Sequence, residues 1–149
     1  MKCKDFMRRP VQTLPVGATV EIAAQRMKDS NIGLIPICGR TGTPLGVLTD
    51  RDIAVRVVAQ GLAPSTPCER VMTTEIVWSD PDDELEFAAR IMGRQRKSRI
   101  LIMRDANLVG ILSLADLAVA KLSIAALALH EVAAREILDP SGVVYPNRH

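Results

Sequence analysis

Aromatic residues are almost missing from this chain. Phe6, Trp78, Phe87 and Tyr145 make up 3% of its 149 residues. That removes the stacking platforms on which single-stranded nucleic acids are held, and it leaves an aliphatic core as the only option. An excess of either charge is missing too. Nineteen Lys and Arg against 17 Asp and Glu leave a net charge of +2. No nucleic-acid partner is expected, and only local basic spots are of interest. Histidine is limited to His130 and His149, and cysteine to Cys3, Cys38 and Cys68. An odd number of widely spaced cysteines without a CxxC reads as reduced thiols, and no ligand spacing supports a metal site. No apolar run approaches the ~20 residues of a membrane span. The stretch from Met1 to Pro10 carries charges without an apolar core and is not expected to be a signal peptide. The expectation is a cytoplasmic protein with no membrane partner. There is no nucleophile–base pair, metal cluster or phosphate-cradling glycine loop, so no catalytic residue is assigned and the chain is not expected to be an enzyme.

What is present is a repeat. Gly46-Val-Leu-Thr-Asp-Arg-Asp-Ile53 returns as Gly110-Ile-Leu-Ser-Leu-Ala-Asp-Leu117, 64 positions later. Other matches keep step: Phe6-Met7 with Val71-Met72, Pro15 with Pro81, Ala23 and Met27 with Ala88 and Met92, and Ile35–Cys38 with Ile100–Met103. The periodicities predict a strand at 11–14, a helix from Thr19 with Ile22, Ala23 and Met27 inward, and strands at 34–38 and 45–48. A helix from Thr49 to about Gln60 completes the first copy. The second copy predicts strands at 76–79, 100–103 and 108–112 and a helix at 85–92. The order strand, helix, strand, strand, helix occurs twice, an α/β fold of two βαββα repeats. The divisions are 1–62, a linker at 63–68 broken by Pro64 and Pro67, 69–120, and a helical extension and tail at 121–149.

From Leu114 to Leu138 the pattern allows one long helix, apolar almost all round between Leu117 and Leu129. Such a surface needs a partner. It is either buried on its own repeats or, as favoured here, a homo-oligomer contact. Asp139-Pro140-Ser-Gly142 would stop the helix, and Val143–His149 reads as a loose tail.

Thr49-x-x-Asp52 and Ser113-x-x-Asp116 have the form of capping boxes, each contributing about 1 kcal/mol to a helix start. Capping does not account for Gly46 and Gly110. The second reading is a ligand site, in which the Asp accepts hydrogen bonds from the vicinal hydroxyls of a ribose, each contributing about 1.5–3 kcal/mol. Both readings stay open on the residues alone.

Two copies of G-h-h-[ST]-x-x-D, each after a strand, a helix and an aliphatic strand, resemble a tandem pair of CBS domains (the cystathionine-β-synthase type) over roughly residues 6 to 120. The resemblance implies two repeats packed sheet to sheet with pseudo-twofold symmetry, extended here by the C-terminal helix. It implies clefts between the repeats that bind an adenosine nucleotide (AMP, ADP or ATP), with S-adenosylmethionine as an alternative. The ribose-binding residues it implies are Thr49 with Asp52 and Ser113 with Asp116. Residues of the opposite repeat would line each cleft: Ser79, Lys97 and Arg99 toward Asp52, and Thr13 with Ile32–Leu34 toward Asp116. The first cleft would thus own cations for phosphate and the second none. Leu114 and Ala115 stand where the first copy has Asp50 and Arg51, which makes the second mouth less polar. The function implied is that of a stand-alone regulatory module, expected as a homodimer, signalling to an effector protein in trans. The competing reading is a ligand-free assembly module whose Thr and Ser motifs are only helix caps.

Overall fold

The structure is a computed structural model and describes residues 1–137, with side chains up to Ala134. The expected helix stop at Asp139–Gly142, the tail and His149 lie outside the described residues. Two three-stranded sheets and their helices form two compact units, with a C-terminal helix on one of them. One unit is Gln12–Ile76 with Ala106–Leu108. The other is Met1–Val11, Val77–Asp105 and the chain from Val109 onward.

The first-repeat unit is built from β1 (Leu14–Pro15), α2 (Val20–Ser30), β2 (Leu34–Cys38), β3 (Pro44–Thr49) and a short α3 (Asp50–Asp52), while α1 (Cys3–Phe6) belongs to the other unit. Thr19 caps α2, its side chain accepting from the Ile22 N–H at 3.4 Å, and Asn31 in the left-handed region ends it. The inner face of α2 is Val20, Ala23 and Met27. Ile22, expected inward, is 45% exposed, because positions 20, 23 and 27 already fill the helical stripe that meets the sheet. β1 runs parallel to β2, and β2 antiparallel to β3. β2 is the central strand yet carries Pro36. Its partner Val47 points its own N–H and C=O at Thr73, at 2.9 and 2.8 Å, and β1 pairs only with Ile37 and Cys38. No ladder bond is therefore asked of the nitrogen of Pro36. After α3 the helix widens into a π-type turn at Ile53–Val58 and ends near Gly61, where the sequence had placed the stop. A 3₁₀ turn at Cys68–Arg70 brings Cys68 and Val71 into the core of this unit.

The second-repeat unit begins with α1 (Cys3–Phe6) and continues with β4 (Trp78–Ser79), α4 (Leu85–Arg94), β5 (Arg99–Arg104), β6 (Asn107–Ser113), α5 (Leu114–Ala120) and α6 (Leu122–Ile137). Its sheet has the order β4-β5-β6, with β4 parallel to β5. α1 sits over this sheet: Cys3 is fully buried in its core, and Lys4 pairs with Asp82 at 2.7 Å.

The single long helix expected after Leu114 is instead two helices. Lys121 is extended (φ −167°, ψ 120°) and separates α5 from α6. The break lets α6 return along α4, with Ile124, Ala125, Ala128 and Val132 buried at helical spacing in the core of this unit. The approach is close. A Cβ on Gly93 of α4 would stand 3.3 Å from the Ala128 Cα and 3.4 Å from the Leu127 carbonyl oxygen. Ala89 and Gly93 give the groove, and Ala125 and Ala128 the ridge that fills it. Val119, Leu122 and Leu129 remain exposed at 85%, 73% and 53%. The apolar stretch thus divides between an internal face and an open one. Cys3, Cys38 and Cys68 are buried and unpaired, and burial pushes the Cys3 thiol up to about 11. No helix among the described residues is long and apolar enough to cross a membrane.

Candidate functional site

In each unit the return strand ends in a hydroxyl residue and turns directly into a helix. Thr49 closes β3 and Ser113 closes β6. Both turns are reciprocal capping boxes. Thr49 Oγ1 accepts from the Asp52 N–H at 3.1 Å, and Asp52 Oδ2 accepts from the Thr49 N–H at 3.0 Å. Ser113 Oγ accepts from the Asp116 N–H at 3.2 Å, and Asp116 Oδ2 accepts from the Ser113 N–H at 2.8 Å. The carboxylates are held by the backbone that carries them, so neither has rotamer freedom to lose when a ligand arrives.

The glycines have a steric cause. A Cβ on Gly46 would lie 2.6 Å from Met72 Sδ and 2.8 Å from the Thr73 carbonyl oxygen; one on Gly110 would lie 2.5 Å from Met7 Sδ. The segment before each repeat's opening strand presses its methionine onto the return strand of a sheet: Met72 onto β3 and Met7 onto β6. Backbone pairs fasten each segment, Thr73 with Val47 and Arg8 with Ile111. Two glycines that capping left unexplained are therefore sites of close approach.

Around this shared frame the two turns differ. Asp116 is nearly buried, and its Oδ1 accepts from Arg8 Nε at 2.8 Å. Its Oδ2 also accepts from Ser113 Oγ at 2.5 Å. Asp52 accepts one hydrogen bond among the described residues, that of the Thr49 N–H. Arg56 stands near it, Nε 3.7 Å from Oδ1, too far for a hydrogen bond, while its Nη1 donates to the Val71 carbonyl at 2.9 Å. Oδ1 of Asp52 thus accepts no hydrogen bond among the described residues and has Arg56 as its ion-pair partner.

The other expected residues fall as follows. Thr13 is exposed just before β1, in the unit of Thr49 and Asp52. Ser79 is buried at the end of β4, and its hydroxyl donates to Asp83 Oδ2 at 2.6 Å. Lys97 lies half-buried in the turn after α4, and Arg99 is the exposed first residue of β5. These three share their unit with Ser113 and Asp116. The sequence reading gave the Asp116 site no cation, and the structure places Arg8 on it. Extending the match of Phe6-Met7 with Val71-Met72 by one residue sets Arg8 against Thr73, a difference between the copies that does not by itself point to Asp116. Among the described residues no group of His, Cys, Asp and Glu has the arrangement to hold a metal ion.

Comparison with known proteins agrees with this geometry. The family described as CBS domain matches residues 3–59 and again 68–123. The CBS domain-containing protein YhcV of Bacillus subtilis is 43% identical over 120 residues, covering 80% of this chain and 85% of that protein. Hypoxic response protein 1 of Mycobacterium tuberculosis is 32% identical over 116 residues, covering 77% of this chain and 81% of that one. Among solved structures, a CBS domain protein of Pyrobaculum aerophilum complexed with AMP superposes with a TM-score of 0.75 at 27% identity, covering 90% of this chain and 99% of that chain. With two copies of the family's sequence pattern, each folded into its sheet and ending in the same strand-to-helix turn, this chain belongs to the CBS-domain family.

Proposed function

We propose that the chain is a regulatory module that binds an adenosine-containing ligand, AMP, ADP or ATP ahead of S-adenosylmethionine, with the ribose diol on Asp52. The observation that carries the reading is the Asp52 carboxylate: held in place by Thr49, it keeps Oδ1 without a hydrogen bond among the described residues. Two vicinal hydroxyls can donate to such a carboxylate, and a hydrogen bond to a charged group contributes about 1.5–3 kcal/mol. The similarity to a CBS domain protein complexed with AMP supports adenosine as the ligand class. Ser113 with Asp116 is the matching candidate in the second repeat. Lys97 and Arg99 are our candidates for the phosphate, and Thr13 and Ser79 for the remaining polar edges. Ser79 must first release Asp83 to take that part.

A module of this kind acts through differential affinity: a ligand that binds one arrangement of the protein better shifts the population toward it. We assign the output to an effector protein in trans. Isothermal titration with AMP, ATP and S-adenosylmethionine tests the ligand. Asp52→Ala should weaken binding at least about tenfold, the loss of one charged hydrogen bond. No heat from any of the three leaves only the assembly reading, in which the turns are caps. The open apolar residues Val119, Leu122 and Leu129 favour a homodimer. Equilibrium sedimentation should give twice the chain mass, and a shift toward monomer in Leu122→Glu; a monomeric wild type removes the dimer.

A further inference from the structure

We infer that Arg8 is a specificity-determining residue that reserves the Asp116 carboxylate and makes the two candidate diol sites of this chain unequal. The inference rests on the adenosine reading above. An ionised carboxylate offers about four lone-pair positions. Asp116 has three filled: Oδ2 by the N–H and the hydroxyl of Ser113 at 2.8 and 2.5 Å, and Oδ1 by Arg8 Nε at 2.8 Å. A vicinal diol makes full use of two acceptor positions, so while Arg8 stays it must give up one hydrogen bond there. Asp52 has one position filled among the described residues.

Arg8 is well placed for this task. Its N–H and C=O pair with Ile111 at 2.8 and 3.1 Å, so the arm starts from a fixed point beside the turn. The arm itself is 72% exposed, whereas the carboxylate it covers is 9% exposed. A residue so open contributes little to the core. Its ordered contact is the buried anion, which solvent screens less than a surface partner. The first repeat supplies the control. Thr73 holds the same backbone place against Val47 but carries no charge, and the cation beside Asp52, Arg56, stays 3.7 Å from Oδ1 and donates to the Val71 carbonyl instead. Ser113 adds to the difference by donating its hydroxyl to Asp116, while Thr49 makes no such donation to Asp52 among the described residues.

The test is isothermal titration of the full chain with adenosine and with AMP, in the wild type and in Arg8→Thr, Thr73→Arg and Asp52→Ala. The wild type should bind one ligand per chain, lost in Asp52→Ala. Arg8→Thr should open a second site about tenfold tighter than in the wild type for both ligands, and the gain should persist in Arg8→Thr with Asp52→Ala. Thr73→Arg should weaken the Asp52 site, and it does not depend on Arg8→Thr folding. Unchanged binding in both Arg8→Thr and Thr73→Arg overturns the inference. So does a loss of AMP with adenosine spared in Arg8→Thr, which would make Arg8 a phosphate ligand. If neither ligand binds the wild type or any variant, the adenosine reading itself falls and takes this one with it.

Discussion

The helix before the central strand is the same in the two repeats until one compares what covers it. Lys28 on α2 and Gly93 on α4 hold matching places, one residue after Met27 and Met92. Lys28 is open to water, with its side chain 79% exposed. Gly93 is buried beneath α6. Ala24 and Ala89 differ in the same way, exposed in one unit and fully buried in the other. One repeat ends its packing at its own helix, and the other continues into a further layer. A repeat can therefore keep its frame and still change its surroundings by a single side chain, provided the residue facing the added element shrinks to nothing.

Substitution at that place should give the largest contrast. Gly93→Val forces a branched side chain against the α6 backbone and should cost about 1–3 kcal/mol, whereas Lys28→Val should stay within about 0.5 kcal/mol. Urea denaturation of both measures it, and equal losses would remove the distinction. A smaller contrast should separate Gly46 from Gly110. At Gly46 the added methyl meets the backbone carbonyl of Thr73, but at Gly110 it meets the side chain of Met7. A methionine can swing aside where a carbonyl cannot. Gly46→Ala should then cost about 1–3 kcal/mol, with Gly110→Ala in the lower part of that range. The reverse order would show that Met7 is the more rigid of the two methionines.

The smallest effect is electrostatic and belongs to the second repeat alone. The N–H of Asp82 and the guanidinium of Arg104 hold the carboxyl of Asp80 below its ordinary 3.8. Lys4 and Arg104 do the same for Asp82. Lowered values mean stabilisation that is complete above 3.8 and lost as the pH falls through the folded-state values. Asp82→Asn should lower the melting temperature slightly at neutral pH and converge with the wild type in acid. A difference that persists unchanged into acid would refute the ionic origin. The matching turn of the first repeat, Pro15-Val-Gly-Ala18, carries no acid of its own and meets a carboxylate only through Glu69, which accepts from the Gly17 N–H at 3.2 Å.

Much of this was legible in the sequence because the repeat states it twice. Strand β5 and helix α4 were readable from apolar spacing, and the caps at Thr49 and Ser113 from their Asp three residues on. Other features depend on contacts between distant positions. The methionines that dictate Gly46 and Gly110 stand 26 residues after one and 103 before the other. Arg8 meets Asp116 across 108 positions, and no local pattern marks that pair. Lys121 breaks the terminal helix although its neighbours favour continuing. What decides there is tertiary: turning back buries Ile124, Ala125, Ala128 and Val132 against α4.

The division of the chain has a bearing on the order of folding. Every residue of the first core cluster, from Leu14 to Val71, lies within one continuous stretch of Gln12–Ile76. The second cluster needs Cys3 together with Leu85 and residues as far as Val132. During synthesis the first core can close as soon as its own stretch has emerged, while Met1–Val11 waits for partners made much later. Contacts of such long range close slowly. A fragment cut at residue 62 would forfeit Cys68 and Val71 while retaining a leading segment whose sheet is absent. The stretch that holds the whole first core is 12–76, to which the unit adds Ala106–Leu108: where the pattern repeats and where the molecule divides are different places.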